Sequence, residues 1–375
     1  MSESRREYVG LSLIGLLVTL PLFIISPVLP QIVEEYGVSY VEVGYFLTVY
    51  SLAWSVLGLY SGYLSDRYGR KRIASIGLIL YSAFAFLLGV AKTFHQLITF
   101  RFIQDVELGL FGPACLGLTA QFEEKGKSLS YYRAANGVGI VIGPTIGGIL
   151  GSIELSYPFF LCGLLSLVAL SLFPEQRGED AVSFFESVKG MVLNRSFMLL
   201  SIVTFMAEIT FASLDVIVPL AGSAIGLSSV WIGLVLTSYF VVFVVSQPII
   251  GTLLVEIDKI RIVTIAAFIG AFPFAAMYLA GNLWVMVVAM CLLSVSLGTV
   301  FIQASAAVAE MAPKGRESTY MAFFDAVIDM SFPVAPVLIT RLASFQVRVP
   351  FLFLSIFVIS SASIYTTTRF RGRET

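Results

Sequence analysis

Apolar runs of about 20 residues recur along this chain from end to end, broken by short polar or Gly/Pro-rich segments. A helix of that length crosses the hydrocarbon core of a bilayer, and repetition on this scale leaves little room for any other architecture. Composition agrees. The 375 residues are 58% hydrophobic and 13% charged, against roughly half and a quarter in a soluble domain. Net charge is −1, so no bulk electrostatic case exists for a nucleic-acid partner. Cys115, Cys162 and Cys291 stand far apart in apolar runs, without disulfide or metal spacing, and read as packing residues. The single histidine, His95, falls in a short loop, which removes Ser-His and metal-His chemistry from the core. Arg5 and Arg6 precede an apolar run longer than a signal-peptide core, with no small-residue cleavage site after it. That run is expected to be the first spanning helix.

Breaks at charged and Gly/Pro-rich points predict twelve spans, at 9–30, 41–64, 73–91, 96–119, 129–152 and 157–173, then 197–219, 230–254, 261–280, 283–309, 319–343 and 349–368. Assigning the N-terminus and alternate loops to the cytoplasm puts 19 of the 23 basic residues there. Lys92, Arg341 and Arg348 fall on the other side, and Arg101 lies within a span. This is the positive-inside pattern, and it predicts cytoplasmic N- and C-termini. The sequon Asn194-Arg195-Ser196 falls on the cytoplasmic side and is set aside.

The longest loop, 174–196, divides the spans six and six, so the expected organisation is two six-helix halves, 1–173 and 197–375, joined by that linker. A shift of 189 residues aligns Pro30 with Pro219, Gly44 with Gly233, Thr48 with Thr237, Gly62 with Gly251, Gly109 with Gly298 and Pro144 with Pro333. Six helices per repeat leave both copies in the same orientation. Two such parallel halves around a midplane site make a transporter architecture.

Three short motifs carry a resemblance. Residues 62–71 read GYLSDRYGRK, between the second and third spans; 139–148 read GIVIGPTIGG, in the fifth; RFIQDVELG begins at Arg101, in the fourth. These resemble the loop, antiporter and helix 4 motifs of the major facilitator superfamily, in particular its proton-coupled drug exporters. The first motif matches throughout at Gly62, Asp66, Arg67, Gly69, Arg70 and Lys71. The second matches at Gly139, Gly143, Pro144, Gly147 and Gly148. The third departs, with Asp105 where the family has glycine and a second acid at Glu107. The resemblance implies that spans 1, 4, 7 and 10 line a central cavity. It also implies that Asp66 latches the cytoplasmic face and that the fifth span seals the outer half of the cavity.

Physical reasoning sorts the loop differently for its bases and its acid. Arg67, Arg70, Lys71 and Arg72 hold a short loop in the cytoplasm by the topological rule alone. Asp66 weakens that signal and needs another reason, such as the positive end of a helix near Lys314 and Arg316. The repeat partners of Asp66 and Gly69 are Val255 and Asp258, so a latch here belongs to one half.

Arg101, Asp105, Glu107, Glu208, Asp215, Asp325 and Asp329 fall within the expected spans. Each costs about 2.5–3.5 kcal/mol at a helix centre, and residues that expensive mark pathways. Six acids against one base cannot all stay charged in a low dielectric; some are protonated, paired with a bound cation or reached by water. Arg101 and Asp105 share a face, as do Glu208 with Asp215 and Asp325 with Asp329. Asp215 and Asp325 lie near expected span ends, where plain solvation explains them; Glu208 is nearer mid-span. Tyr50, Trp54, Phe211, Tyr239 and Phe301 are candidates for an aromatic pocket, although aromatics on membrane helices commonly serve packing.

The expectation is a secondary transporter in the cell membrane, working by alternating access as a monomer. It moves a small molecule, with protons as the coupling ion and no cofactor beyond the proton gradient. Export of small amphipathic or cationic compounds leads. Proton-coupled uptake of a sugar, organic acid or peptide is the alternative within transport, and a membrane sensor or enzyme is the alternative outside it. Only one intramembrane base is present, which counts against an anionic cargo.

Overall fold

A computed structural model of the chain describes residues 3–49, 51–52, 68–104, 106, 125–172, 195–253, 259–312 and 317–371. All regular structure among these residues is helical. Helix α1 (Glu3–Phe23) runs into a 3₁₀ turn at Ser26–Val28 and continues as α2 (Leu29–Tyr36). Pro27 and Pro30 each remove a backbone donor, which accounts for the break in the α-helical ladder between them. The first span was expected to end near residue 30 but extends to Tyr36. Gly37 stops it with φ of 61°, a left-handed conformation that costs glycine nothing, and its N–H caps the Val33 carbonyl.

Next come α3 (Tyr40–Val49), α4 (Arg70–Gly89), α5 (94–104), α6 (Lys125–Ile153) and α7 (Ser156–Ser171). They are followed by α8 (Arg195–Ala224), α9 (Ser229–Leu253), α10 (Lys259–Leu279) and α11 (Leu283–Met311). The chain closes with α12 (Glu317–Asp329), α13 (Ser331–Phe345) and α14 (Val349–Arg371).

Two boundaries differ from expectation in ways that matter for the acids. Helix α8 passes through Pro219 and ends at Ala224. Asp215 is therefore about 14 Å from the helix end rather than close to it. The expected eleventh span is two helices, interrupted at Met330. Pro333 cannot donate to the Asp329 carbonyl, nor Pro336 to that of Phe332, and two such losses within one turn explain the interruption. Its repeat partner Pro144 lies inside the unbroken α6.

Among the described residues, eight helical stretches are long and apolar enough to cross a bilayer. The expected second, sixth and twelfth spans correspond to shorter apolar stretches, and the expected fourth is described as helix over 94–104. This is a multi-pass membrane protein. Leu253, Phe272 and Leu279, each more than 70% exposed, face outward as lipid-contacting side chains do.

The chain divides into two compact units. One comprises residues 1–182 with 227–237; the other comprises 183–226 with 238–375. In the first, α1 packs chiefly on α6, and α4 on α7. Ile24, Val28, Phe46, Leu88, Phe159 and Cys162 form its main apolar cluster. In the second, α11 and α14 both pack on α10, while α8 contacts α11, α12, α13 and α14. Lipid is as apolar as these side chains, so the units are held by close packing and interhelical hydrogen bonds rather than by expulsion of water.

Candidate functional site

Helix α6 carries the fifth-span motif, and its glycines fall on two faces. Gly139 and Gly143 rest directly on the α1 backbone, and Gly147, four residues further on, rests on that of Ile24 just past the end of α1. A Cβ on Gly139 would lie 2.9 Å from the Leu20 nitrogen, and one on Gly143 would lie 3.0 Å from the Leu20 carbonyl oxygen. At Gly147 it would collide with the Ile24 carbonyl. Gly148 points elsewhere, and a Cβ there would strike the Ser229 carbonyl at the start of α9. One turn away, a Cβ on Gly233 would strike the Pro144 carbonyl.

Polar contacts reinforce this second face. The Thr145 and Thr237 hydroxyls are 2.7 Å apart, and Thr237 donates to the Val141 carbonyl at 3.0 Å. Gln31 donates from Nε2 to both the Gly151 carbonyl and the Ser229 hydroxyl, each at 2.9 Å. Residues 227–237 belong to the first unit through these contacts. Thr145 and Gln31 had not been singled out from the sequence. The available signal was that each is a hydrogen-bonding side chain inside an apolar run, where satisfaction must come from another helix.

The charged loop is only partly described. Gly62, Asp66 and Arg67 lie outside the described residues. Gly69 precedes α4 with φ of 93°, which only glycine adopts without strain. Arg70 is the first residue of α4, Lys71 is half-buried and Arg72 is exposed.

Arg101 is 2% exposed. Its Nη1 donates to Gln104 Oε1 at 2.7 Å, and its guanidinium lies 5.8 Å from the Phe46 ring centre. Gln104 reaches the Tyr81 carbonyl at 3.5 Å. The two motif residues thus form a buried pair, with the aromatic face offering a further cation contact. Asp105 and Glu107 lie outside the described residues.

The remaining acids gather in the second unit. Glu208 stands midway along α8. Asp329 and Asp325 on α12 are within electrostatic reach of it and of each other. Asp329 is the last residue before the interruption at Met330. Glu208 and Asp215 both lie within electrostatic reach of Tyr239.

Tyr239 is fully buried in an aromatic cluster, with ring centres 5.9 Å from Phe211, 5.3 Å from Phe240 and 5.7 Å from Phe243. Phe332, just past the helix break, joins Phe211 at 6.1 Å. The Tyr239 hydroxyl has no hydrogen-bond partner among the described residues. Phe211 and Tyr239, two of the expected aromatics, therefore meet; Tyr50 and Trp54 are outside the described residues. Among the described residues no group of three or more His, Cys, Asp or Glu is arranged to hold a metal ion.

Known proteins resemble both sequence and fold. Over 156 residues the chain is 30% identical to the quinolone resistance protein NorA of Staphylococcus aureus. Over 152 residues it is 31% identical to multidrug resistance protein 1 of Bacillus subtilis. Each match covers about two fifths of both chains.

Among solved structures, the bacterial homologue of the human lysosomal transporter Spinster superposes with a TM-score of 0.83 at 14% identity, covering 96% of this chain and 95% of that one. The D-xylose–proton symporter gives 0.78 at 14%, covering 97% of each. The model of the Major Facilitator Superfamily matches residues 11–200 and 200–374. With both segments matched, the chain belongs to the major facilitator superfamily of membrane transporters.

Proposed function

We propose that this protein is a proton-coupled exporter of small amphipathic or cationic compounds, working by alternating access in the cell membrane. Its twelve spans form two parallel six-helix halves, with both termini in the cytoplasm. The observation that carries this reading is the helix interruption beside Asp329, with Glu208 and Asp325 within electrostatic reach. Interrupted helices in transporters free backbone groups at sites that bind substrate or coupling ion. Carboxyls grouped there, with no base in α8 or α12 beyond the terminal Arg195, suit a proton and a cation competing for one place. Partial matches to proteins named for quinolone and multidrug resistance support export as the direction.

In this mechanism Glu208 or Asp329 releases its proton to the cytoplasm and takes up cargo, and reprotonation from outside expels it. For a neutral cargo the membrane potential contributes about 2.3 kcal/mol per proton per 100 mV, which is worth a roughly fifty-fold concentration ratio, whereas one-for-one exchange with a monovalent cation is electroneutral and draws on the pH gradient. The packed α6 face, held to α9 through Thr145 and Thr237, acts as the seal on one side of the cargo path. Asp66 latches the opposite side.

Proteoliposomes with an internal pH-sensitive dye test the assignment. At least one of Glu208→Gln and Asp329→Asn should abolish cargo-driven proton movement while Asp215→Asn retains it. Unchanged coupled flux in both of the first two variants would remove these acids from the mechanism. Lipophilic cations added in a resistance assay, beside uptake of labelled sugars, would separate export from the uptake alternative.

A further inference from the structure

The second unit has a cavity of about 210 Å³ that neither the acids nor the motif helix explains. It lies where the ends of α8, α10 and α13 meet the starts of α11 and α14. Ile225, Met277, Met286 and Phe351 give it apolar walls, and Gln346 and Arg348 give it a polar side. Segments 221–226, 277–286 and 346–351 contain no acid, and Arg348 is their single charged residue. The cavity is therefore electropositive by sequence.

Arg348 is also held in place. A Cβ on Gly281 would meet its Nη2 at 3.1 Å and its Cζ and Nε at 3.2 Å, so the guanidinium lies flat over the glycine. A flat stack leaves the N–H donors directed sideways, where they match the oxygens of a phosphate. Helices α11 and α14 both begin at this cavity, and their positive ends add to the field.

The surroundings identify the kind of occupant. Leu279 is 76% exposed, Trp284 74% and Phe345 85%, each within two residues of a wall residue. Large apolar side chains standing this free at helix ends, a tryptophan among them, mark the level where lipid tails give way to headgroups. The cavity is also smaller than the ~300–1,000 Å³ of sites for drug-sized molecules.

We propose that this cavity binds the headgroup of an anionic phospholipid: the phosphate on Arg348, the first tail carbons against Met277, Met286 and Phe351, and the rest of the tail along the exposed apolar rim. The proposal rests on membrane embedding and not on the direction or cargo of transport.

Native mass spectrometry of the delipidated full-length protein tests it. Dioleoylphosphatidylglycerol, dioleoylphosphatidylcholine and soluble glycerol phosphate are titrated in turn. The anionic lipid should bind about fivefold more tightly than the zwitterionic one, the effect expected of a single well-placed base. Arg348→Gln should remove that preference and Arg348→Lys should keep part of it. Arg341→Gln, which alters a nearby base that does not line the cavity, should leave it intact. Met277→Trp, which fills the cavity without altering charge, should weaken binding of the anionic lipid.

A preference that survives both Arg348→Gln and Met277→Trp would overturn the proposal, as would equal binding of the two lipids. Competition by glycerol phosphate at the affinity of the lipid itself would assign the site to free phosphate and overturn the lipid reading.

Discussion

Gly147→Ala should be the most damaging alanine substitution on the motif helix, and the series around it tests how α1 and α6 are held. Alanine in a helix interior is ordinarily favoured over glycine by about 0.8–1 kcal/mol. Against that gain stands overpacking, about 1–3 kcal/mol and occasionally more. The balance is set by what the new Cβ meets.

At Gly10 the nearest atom is the Leu172 carbonyl oxygen at 3.5 Å, an ordinary contact. That variant should be neutral or slightly stabilised. At Gly143 the Leu20 carbonyl oxygen is 3.0 Å away, and at Gly139 the Leu20 nitrogen is 2.9 Å away. Each of these variants requires a few tenths of an ångström of adjustment. At Gly147 the Cβ collides with the Ile24 carbonyl, with the carbonyl carbon at 2.7 Å and Cα at 3.0 Å. All three atoms are backbone, so no rotamer relieves the clash and the helices must separate.

The net cost at Gly147 is about 2 kcal/mol, so the thermal midpoint in detergent should fall by about 2–3 °C. Gly139→Ala and Gly143→Ala should fall between Gly147→Ala and Gly10→Ala. If Gly147→Ala melts no lower than Gly10→Ala, close backbone contact is not what these glycines supply.

Three further outcomes are expected. In a double-mutant cycle of Thr145→Val and Thr237→Val, the unfolding free energies should show a coupling of about 0.6 kcal/mol, typical of a hydrogen bond between membrane helices, and a zero coupling would remove that bond from the account. Gly37→Ala should cost about 1–2 kcal/mol despite open space around it, because φ is 61°, and Gly37→Asn should recover part of the loss in the same melting assay. Asp66→Asn should alter transport rate without changing the amount of protein in the membrane; wild-type transport by this variant would end the latch reading.

How much was legible beforehand depended on the range of the physical cause. Hydropathy and charge act segment by segment, so spans such as 261–280 and 283–309 fall within a few residues of the helices observed. Family membership was legible for a similar reason: GYLSDRYGRK and GIVIGPTIGG are contiguous strings that need no tertiary context. Ends set by proline chemistry were harder. Pro219 and Pro144 each lie inside an unbroken helix, whereas Pro333 follows an interruption. The same residue type has two outcomes because neighbouring helices decide whether freed carbonyls are tolerated.

For the candidate site, spacing placed Asp325 and Asp329 on one face. It also marked Glu208 as the acid nearest mid-span. It did not bring α8 and α12 together, and it placed Asp215 too near a helix end. A periodicity of 3.6 residues says which side chains share a face but is silent on what that face meets. Gly147 and Gly148 are adjacent in one motif, yet one rests on Ile24 and the other on Ser229, a division that exists only when three helices are assembled. The bilayer imposes its demands on each segment separately, and those are written in the sequence; partners across a helix interface are chosen by packing among segments distant in the chain, and only the folded structure shows them.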